Sequence, residues 1–535
     1  MECVHYQFYC IGEVKPAQFA KARLLHCAEP AIVQETRMAR SSFCVSVAIA
    51  AFSLSAFAQS SATASAPDAV LDPVTNAALV KLGGQLMMAG QAYEYDRELA
   101  DEIGGRLTGS PNYVKAADWA TGEFTQLGLS NVHQEPWEIG ATWEPETWAS
   151  GRILIPHEQR LHLESDGWSP STLPGGVRGK VYHLSAITPE AVKAEAAGIK
   201  DAIVLVDNDS FNSAGALMFG KALDTMALIA SEGARAVLLG NGGENNVPTE
   251  FGLGAGNGAI AQIPVGDLGT EDTLLLRRML DRGPVEVEFT FTNRIREHQK
   301  VNNVVAEIPG SDPGAGWVLI GGHLDSWHLG TGAEDNGTGA ATVVAVAQAM
   351  RASGVQPRRT IRFVLFGGEE EGLLGSNSYV RAHVAELDQC AGVFITDTGS
   401  EPPLGWYVFG REDEKKALAP IKPLLDSLGA GDTTDEGRFT FETDNGAFTI
   451  HGVPSFVLWT PMEKYFLLHH EPSDTFDKVN QRDLNLGVAV VGITALDFAD
   501  RTEPLHHLNE SELTDQLKKI KQYDAYQDMV THNLF

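Results

Sequence analysis

The stretch FVLFGGEEEGLLGS, Phe363 to Ser376, carries both a structural and a chemical signal in this 535-residue chain. A short apolar run ends in two glycines, which is typical of a buried strand that stops at a turn. Three adjacent glutamates follow, and such close like charges repel each other unless a positive group lies nearby. One interpretation is a solvated acidic loop without a partner. The other is a loop that lies beside a strongly positive group.

Apolar runs of the same kind recur on both sides of this stretch and alternate with helical patterns. GWVLIGGH (316–323), AGVFITD (391–397) and VPSFVLW (453–459) have the character of buried strands, and GTGAATVVAVAQAMRASG (337–354) that of a helix. This alternation predicts an α/β fold with a mostly parallel mixed sheet, covered by helices on both faces. Ligands of such sheets bind at the carboxyl ends of the strands.

The middle of the chain, residues 151–295, has a different character. Short apolar runs such as DAIVLVD (201–207) and ARAVLLGN (234–241) alternate with helical patterns and contain no cluster of histidine, cysteine and acid. This pattern predicts an inserted α/β domain. The flanking segments, 59–150 and 296–505, would then form one larger domain, and residues 506–535 a C-terminal tail.

The overall charge excludes two classes of partner. The formal net charge is -30 and the isoelectric point is about 4.9. Nucleic acids and anionic membrane surfaces both require basic patches. We therefore expect neither as a partner.

The first 58 residues have the pattern of a leader. From Met38 onward an arginine, an apolar run and the sequence Ala56-Phe57-Ala58 match a secretory signal that is cut after Ala58. Residues 38–58 are therefore predicted to be a signal peptide, and residues 1–37 a spurious extension from a misplaced gene start. An unusually long n-region is the alternative. The mature protein would be exported, either periplasmic or secreted, with no membrane span.

Cysteine usage agrees with this prediction. Four of the five cysteines precede the predicted cleavage site, and Cys390 alone remains, inside an apolar run. An intramolecular disulfide is then impossible in the mature chain, and we expect a buried, inert thiol.

Polar residues collect where the predicted strands end. They are His323, Asp325, Asp335, Glu369, Glu370, Glu371, Asp397, His469, His470 and Asp474. Imidazole and carboxylate form a ligand set suited to zinc. Their number exceeds what one tetrahedral zinc needs and suits two metal ions about 3.5–4 Å apart, bridged by a carboxylate. Such a centre would be the positive group that the glutamate run requires.

The segments HLDSWHLGTGAEDNGTGA, FGGEEEG, ITDTG and KYFLLHHEPSDT, in this order, resemble the M28 family of zinc peptidases. Within that family they are most similar to the carboxypeptidase Q (plasma glutamate carboxypeptidase) branch, and the similarity extends from about residue 80 to about residue 500. The resemblance implies the zinc-exopeptidase fold and identifies the insert as a protease-associated domain. It also implies a homodimer.

The resemblance assigns a role to each matching position. It implies that two Zn²⁺ ions are bound per chain, bridged by Asp335, and that Glu369 is the general base. The terminal metal ligands would be His323, Glu370, Asp397 and His470.

Other positions near these motifs have supporting or alternative roles. His469 stands where some family members have an oxyanion-stabilising tyrosine, so it is either that catalytic group or a packed histidine. Asp325 is placed to accept the other ring N–H of His323, and Asp474 is also predicted to support the ligands. Glu371 is expected to be solvated.

Two further residues, Asp444 and His328, lie near the motifs. Asp444 either lies near the substrate pocket or caps a helix. No role is predicted for His328, and no substrate-binding residue is identified.

The predicted function is therefore an exported di-zinc exopeptidase that acts on small peptides or dipeptides, with aminopeptidase or dipeptidase activity favoured. The alternatives are a carboxypeptidase of the same fold, a single-zinc glutaminyl cyclase and, least favoured, a non-catalytic binding protein. The sequence does not distinguish these specificities, the native metal or the role of the insert.

The leader prediction is tested by N-terminal sequencing of the exported protein. Cleavage after Ala58 should give Gln59, or a close neighbour, as the first residue. A mature product that retains Met1 would contradict both the signal assignment and the proposed start at Met38.

Overall fold

The computed structural model describes residues 71, 73–214, 219–240, 242–250, 252 and 258–535. The predicted extension and the predicted signal peptide lie outside these residues, together with four of the cysteines. Within the described part, no helix is both long and apolar enough to cross a membrane.

Helices and strands alternate through most of the described chain. The helices are α1 Pro73–Ala89, α2 Ala92–Arg97, α3 Pro111–Gln126, α4 Pro189–Ala194, α5 Ala196–Ile199, α6 Asn208–Ala214, α7 Phe219–Ser231, α8 Thr270–Leu280, α9 Thr338–Ser353, α10 Leu374–His383, α11 Glu412–Leu418, α12 Lys422–Ser427, α13 Asn445–Thr449, α14 Gln481–Asp500, α15 Glu510–Lys519 and α16 Tyr523–Thr531. The strands are β1 Ser130–Ile155, β2 Gln159–Leu161, β3 Leu163–Ser165, β4 Val177–His183, β5 Ile203–Asp207, β6 Ala236–Gly240, β7 Val265–Leu268, β8 Glu286–Ile308, β9 Trp317–His323, β10 Thr360–Phe366, β11 Cys390–Ile395, β12 Gly405–Tyr407, β13 Asp432–Thr434 and β14 Ser455–Trp459.

The strands form one continuous mixed sheet in the order β13-β12-β14-β11-β9-β10-β8-β4-β5-β6-β7-β3, and β1 pairs with β8 and β2. The central strands β14, β11, β9 and β10 are parallel, as their apolar character predicted. Side chains of β10 alternate between two buried clusters: Phe363 and Leu365 pack on one face, and Val364 and Phe366 on the other. Burial of both faces explains why this strand reads as an unbroken apolar run.

Helices cover both faces of the central sheet. The cluster on one face includes residues of α1, α2, α3, α9 and α14, and that on the other includes residues of α10 and α13. Helix α9 ends at Gly354, whose φ of 66° lies in the left-handed region that glycine adopts without a steric penalty. The predicted α/β fold is confirmed.

The residues between β1 and β8, 156–285, form a second lobe with its own α/β packing. Strands β4, β5, β6 and β7 are parallel, and β5 alternates in the same way: Ile203 and Leu205 face one core, and Val204 and Val206 face another. The predicted boundaries at 150/151 and 295/296 fall within β1 and β8. These two long strands pair along nearly their whole length and run through both lobes. The protease-associated assignment stays a prediction.

Two features at other positions complete the fold. Cys390 is buried, as expected, and burial raises the pKa of its thiol to about 12. The predicted C-terminal tail folds into α15 and α16. The backbone N–H of Gly220 in α7 donates to Asp528 in α16, so these helices connect the second lobe to the C-terminus.

A half-buried ion-pair group at the end of α10 makes stability dependent on pH. Nε2 of His383 lies 2.8 Å from Glu135 in β1, and Nδ1 hydrogen-bonds Glu386. The hydrogen bond to Glu135, followed by that to Glu386, raises the pKa of His383. Because the raised pKa belongs to the folded state, the stabilisation is complete below the unfolded pKa of about 6.5 and is lost as pH rises through the folded value.

We therefore expect His383→Gln to lower the apparent Tm by roughly 1–3 °C at about pH 5.5 and by less at about pH 9. Thermal unfolding at both pH values measures this difference. His157→Gln, at an exposed position between β1 and β2, is the control. An equal loss at both pH values would contradict the assignment.

Candidate metal centre

The predicted ligands meet because three parallel strands end side by side. His323 is the last residue of β9 and pairs in register with Phe366, the last residue of β10. The glutamate run begins three residues after β10, and Asp397 follows β11 by two residues. Asp335 lies in a π-helical turn, Ala333–Gly337, that leads into α9. His469 and His470 come from the loop after β14.

One group of donor atoms surrounds the first carboxylate oxygen of Asp335. Nε2 of His323 lies 3.3 Å from Oδ1 of Asp335 and 3.2 Å from Oδ1 of Asp397. All three side chains are buried, and their donor atoms lie close enough together to share one ion.

A second group surrounds the other oxygen of the same carboxylate. Oδ2 of Asp335 lies 3.5 Å from Nε2 of His470 and 3.6 Å from Nε2 of His469. Nε2 of His470 also lies 3.0 Å from Oε2 of Glu370. Asp335 therefore stands between two sets of nitrogen and oxygen donors and presents one oxygen to each.

These spacings fit metal coordination. Tetrahedral zinc with bonds of about 2.0–2.2 Å holds its ligand atoms roughly 3.3–3.6 Å apart, which is the range in which most of these donors lie. The donor types are also those that zinc prefers. In addition, Oε1 of Glu370 is buried without a hydrogen-bond partner among the described residues. Burial, and then the charge of Asp335, raises the pKa of Glu370 well above its usual value. A bound cation would remove both penalties.

Asp474 fixes the turn that presents Asp335. Its Oδ1 accepts a hydrogen bond from the backbone N–H of Glu334 at 2.7 Å, and its Oδ2 accepts from that of Asp335 at 3.2 Å. Asn336 ties the same turn to β11, because its side chain donates to the carbonyl of Thr396 at 2.9 Å. The predicted supporting role of Asp474 requires hydrogen bonds of this kind.

Asp325 supports His323 in a different way from the predicted one. Nδ1 of His323 lies 3.1 Å from the backbone oxygen of Asp325, whereas the nearest carboxylate oxygen is 3.8 Å away. The carboxylate instead accepts hydrogen bonds from Thr108 at 3.0 Å and from the backbone N–H of Glu370 at 3.3 Å. Asp325 thus joins two ligand loops through its side chain and orients the imidazole through its main chain.

The three glutamates of the opening stretch have different environments. Glu370 contacts His470, as described. Glu369 is partly exposed, lies within electrostatic range of His323 and Asp397, and accepts no side-chain hydrogen bond from the described residues. The expectation that Glu371 is solvated is wrong, since this residue is 4% exposed.

The burial of Glu371 has a local cause. The chain closes a tight turn, in which the N–H groups of Gly372 and Leu373 donate to the carbonyl of Glu369. This turn places Glu371 inside, near Asp325. Burial, followed by the charge of Asp325, raises the pKa of Glu371 well above its usual value, so the neutral acid is favoured.

Asp444 is buried at the centre rather than acting as a cap. It precedes α13 but makes no side-chain capping hydrogen bond. It is 0% exposed, and neither carboxylate oxygen has a hydrogen-bond partner among the described residues. Burial raises its pKa to about 7, and it interacts electrostatically with His323. The helix-capping interpretation is therefore wrong, and a position near the substrate pocket stays a prediction.

Sequence reasoning missed three contacts of the centre. Tyr465 donates to Oδ1 of Asp397 at 3.5 Å, Thr108 contacts Asp325, and Nδ1 of His470 lies 2.6 Å from the backbone oxygen of Glu250. Tyr465 is close to the histidine pair in sequence, so its position could have indicated a role. Thr108 and Glu250 lie far from the ligand motifs and in ordinary sequence contexts.

Comparisons with known proteins identify peptidases as relatives of this chain. The model of peptidase family M28 matches residues 303–491. Carboxypeptidase Q of Homo sapiens is 27% identical over 430 residues, covering 80% of this chain and 89% of that protein. Carboxypeptidase Q of Pongo abelii is 28% identical over the same shares of both chains.

Solved structures show the same fold. A peptidase M28 from Shewanella amazonensis superposes with a TM-score of 0.72 at 28% identity, covering 82% of this chain and 99% of that one. A zinc aminopeptidase from Bacillus subtilis has a TM-score of 0.60 at 22% identity, with 79% and 98% of the two chains covered.

The matched segment contains all of the strands and loops that form the centre up to and including His470. The relatives extend the similarity across both lobes, and the structural match covers nearly the whole of the Shewanella protein. The chain therefore contains a peptidase family M28 region and is a metallo-exopeptidase similar to carboxypeptidase Q.

Proposed function

We propose that this chain is an exported di-zinc exopeptidase that hydrolyses small peptides, with Asp335 bridging the two ions. The observation that carries the proposal is the position of Asp335, which presents Oδ1 to His323 and Oδ2 to His470. Asp397 would complete the first site and Glu370 the second. A homodimer stays a prediction from the resemblance.

Zinc bound in these two sets would polarise the scissile carbonyl and lower the pKa of a water molecule between them. The protein would supply the proton transfers. The carboxylate of Glu369 accepts no hydrogen bond from the described residues and interacts electrostatically with His323 and Asp397, so it can take a proton from the attacking water and return it to the leaving amine. His469 lies on the opposite side of Asp335 from His323, stacked on His470 at 3.6 Å. From there its ring N–H can stabilise the carbonyl oxygen as negative charge develops.

The role of Glu369 is tested by Glu369→Gln. The variant should retain two zinc ions, since Glu369 is not a proposed ligand, and should lose about 10²- to 10⁴-fold in kcat because the proton acceptor is gone. Metal analysis and peptide hydrolysis measure the two effects. A variant with unchanged kcat would show that another group is the base.

Glu371→Gln is the matched control. Glutamine has nearly the shape of the neutral acid that burial already favours at this position. We therefore expect near-normal activity and a zinc content of two. A zinc content close to one in the wild-type protein would instead favour a glutaminyl cyclase type of site.

The contacts around the centre favour recognition of a free amine. A peptide amine requires a nearby acid, and Asp444 is a buried carboxylate without a hydrogen-bond partner among the described residues. A terminal carboxylate would require a cation. Arg106 is buried nearby, but it donates to the backbone oxygens of Leu324, Thr331 and Gly332. These observations favour an aminopeptidase or dipeptidase over a carboxypeptidase.

Three substrates distinguish these activities: a free dipeptide, an N-acetylated tripeptide and a C-amidated tripeptide. We expect the dipeptide and the amidated peptide to be cleaved and the acetylated peptide to resist, because acetylation removes the charge that Asp444 would bind. Mass spectrometry of the products measures this. Cleavage of the acetylated peptide alone would show a carboxypeptidase.

A further inference from the structure

The second lobe reaches the candidate centre at Glu250. Nδ1 of His470 lies 2.6 Å from the backbone oxygen of Glu250, and the backbone N–H of Glu250 donates to the backbone oxygen of His470 at 3.2 Å. The two residues are therefore joined by a pair of hydrogen bonds, although they lie 220 positions apart in the chain.

The side chain of Glu250 makes a second contact with the catalytic lobe, which is the part of the described chain outside residues 156–285. Its carboxylate is 0% exposed, and Oε2 lies 2.8 Å from Nδ1 of His328, which is the distance of an ion pair when His328 is protonated but not the geometry of a hydrogen bond. His328 belongs to the loop that follows β9, five residues after the ligand His323. A fully buried carboxylate needs a partner of this kind, because an unpaired charge in the interior is costly. The pair therefore holds Glu250 at a defined position against the catalytic lobe.

A series of tryptophan ring contacts links His470 to His328. Trp327 lies edge-on to His470 at 5.8 Å and to Trp168 of the second lobe at 6.2 Å. Trp168 stacks on Trp143 at 6.1 Å, and Trp143 contacts His328 at 5.5 Å. Such pairs stabilise their arrangement beyond simple burial of area. Glu250 thus sits in a packed, dry setting.

We infer that Glu250 is a positioning residue for His470, and that docking of the second lobe and metal binding at the Asp335–Glu370–His470 set are linked. The inference rests on the proposed function, in which His470 is a ligand. A carbonyl that accepts the Nδ1 proton fixes the tautomer in which Nε2 is free to bind metal. His470 also has a left-handed φ of 61°, a strained conformation that the paired hydrogen bonds hold in place.

The linkage applies to one metal set and not to the other. Nδ1 of His323 faces the backbone oxygen of Asp325, which belongs to the catalytic lobe itself. Among the residues that the structure describes, the second lobe therefore gives the His323–Asp335–Asp397 set no hydrogen bond of this kind. By reciprocity, metal in the Glu370–His470 set should also strengthen the docking of the lobe.

The experiment measures zinc affinity at both sites by chelator competition in wild-type protein, Glu250→Gln and His328→Gln. Each variant removes one partner of the ion pair while keeping side-chain size. We expect about 10- to 100-fold weaker binding at one of the two zinc sites and little change at the other, the effect usual for groups that orient a metal ligand. Circular dichroism confirms that each variant is folded.

His162→Gln is the matched control. Nδ1 of His162 lies 3.0 Å from Asp272, a carboxylate that is 2% exposed, so it is another histidine–carboxylate pair of the second lobe. No residue of the candidate centre takes part in it. Zinc binding in this variant should equal that of the wild type.

Hydrogen exchange of the Glu250 amide is a second measurement, and it reports on the contact with His470 itself. The Glu250 amide donates to His470, so its hydrogen exchange should slow when zinc is added to the wild-type protein, and should slow less in His328→Gln. Two normal zinc sites in every variant, or equal weakening at both sites, would overturn the linkage alone. Wild-type protein with fewer than two zinc sites would overturn the proposed function and the linkage together.

Discussion

Burial of several carboxylates at one end of a parallel sheet is the constraint on which the rest of this structure depends. Asp335, Glu370 and Asp397 lie where three strands end, in a place that water scarcely reaches. Negative charges so close together in a medium of low polarity are unfavourable unless cations neutralise them. The donors are spaced as a metal would hold them. The centre is thus a site whose own electrostatics demand an ion, and the surrounding loops serve to keep the donors in place.

Much of that support is main chain rather than side chain. The carbonyl of Asp325 orients His323, and that of Glu250 orients His470. Asp474 in turn acts on backbone N–H groups. A main-chain group is positioned by the fold as a whole, so these contacts leave little trace in sequence. The cost is that the centre depends on the correct packing of elements that contribute no ligand.

The distinction between side-chain and main-chain contacts also explains which parts of the fold and of the site could be predicted from the sequence. The apolar runs of β9, β10 and β11 identify the sheet because burial on both faces admits few other residue types, and residues that follow such strands must share an edge. The ligand loops could therefore be recognised from local sequence. Glu371 could not be placed correctly, because a tight turn decides which of three identical neighbours faces inward. Glu250 could not be found at all, since its contribution is a backbone oxygen brought from another lobe by tertiary packing.

The paired strands β1 and β8 have a mechanical consequence. Each runs without interruption from the catalytic sheet into the second lobe, and the two are hydrogen-bonded to each other along the way, with a few irregularities in register. Lobes joined by single loops can swing about a few soft dihedral angles. Here any relative movement of the two lobes must twist or bend a two-stranded ribbon. The hydrogen bonds between β1 and β8 oppose this deformation. The second lobe is therefore suited to small elastic displacements that return to one resting position, and not to free opening and closing.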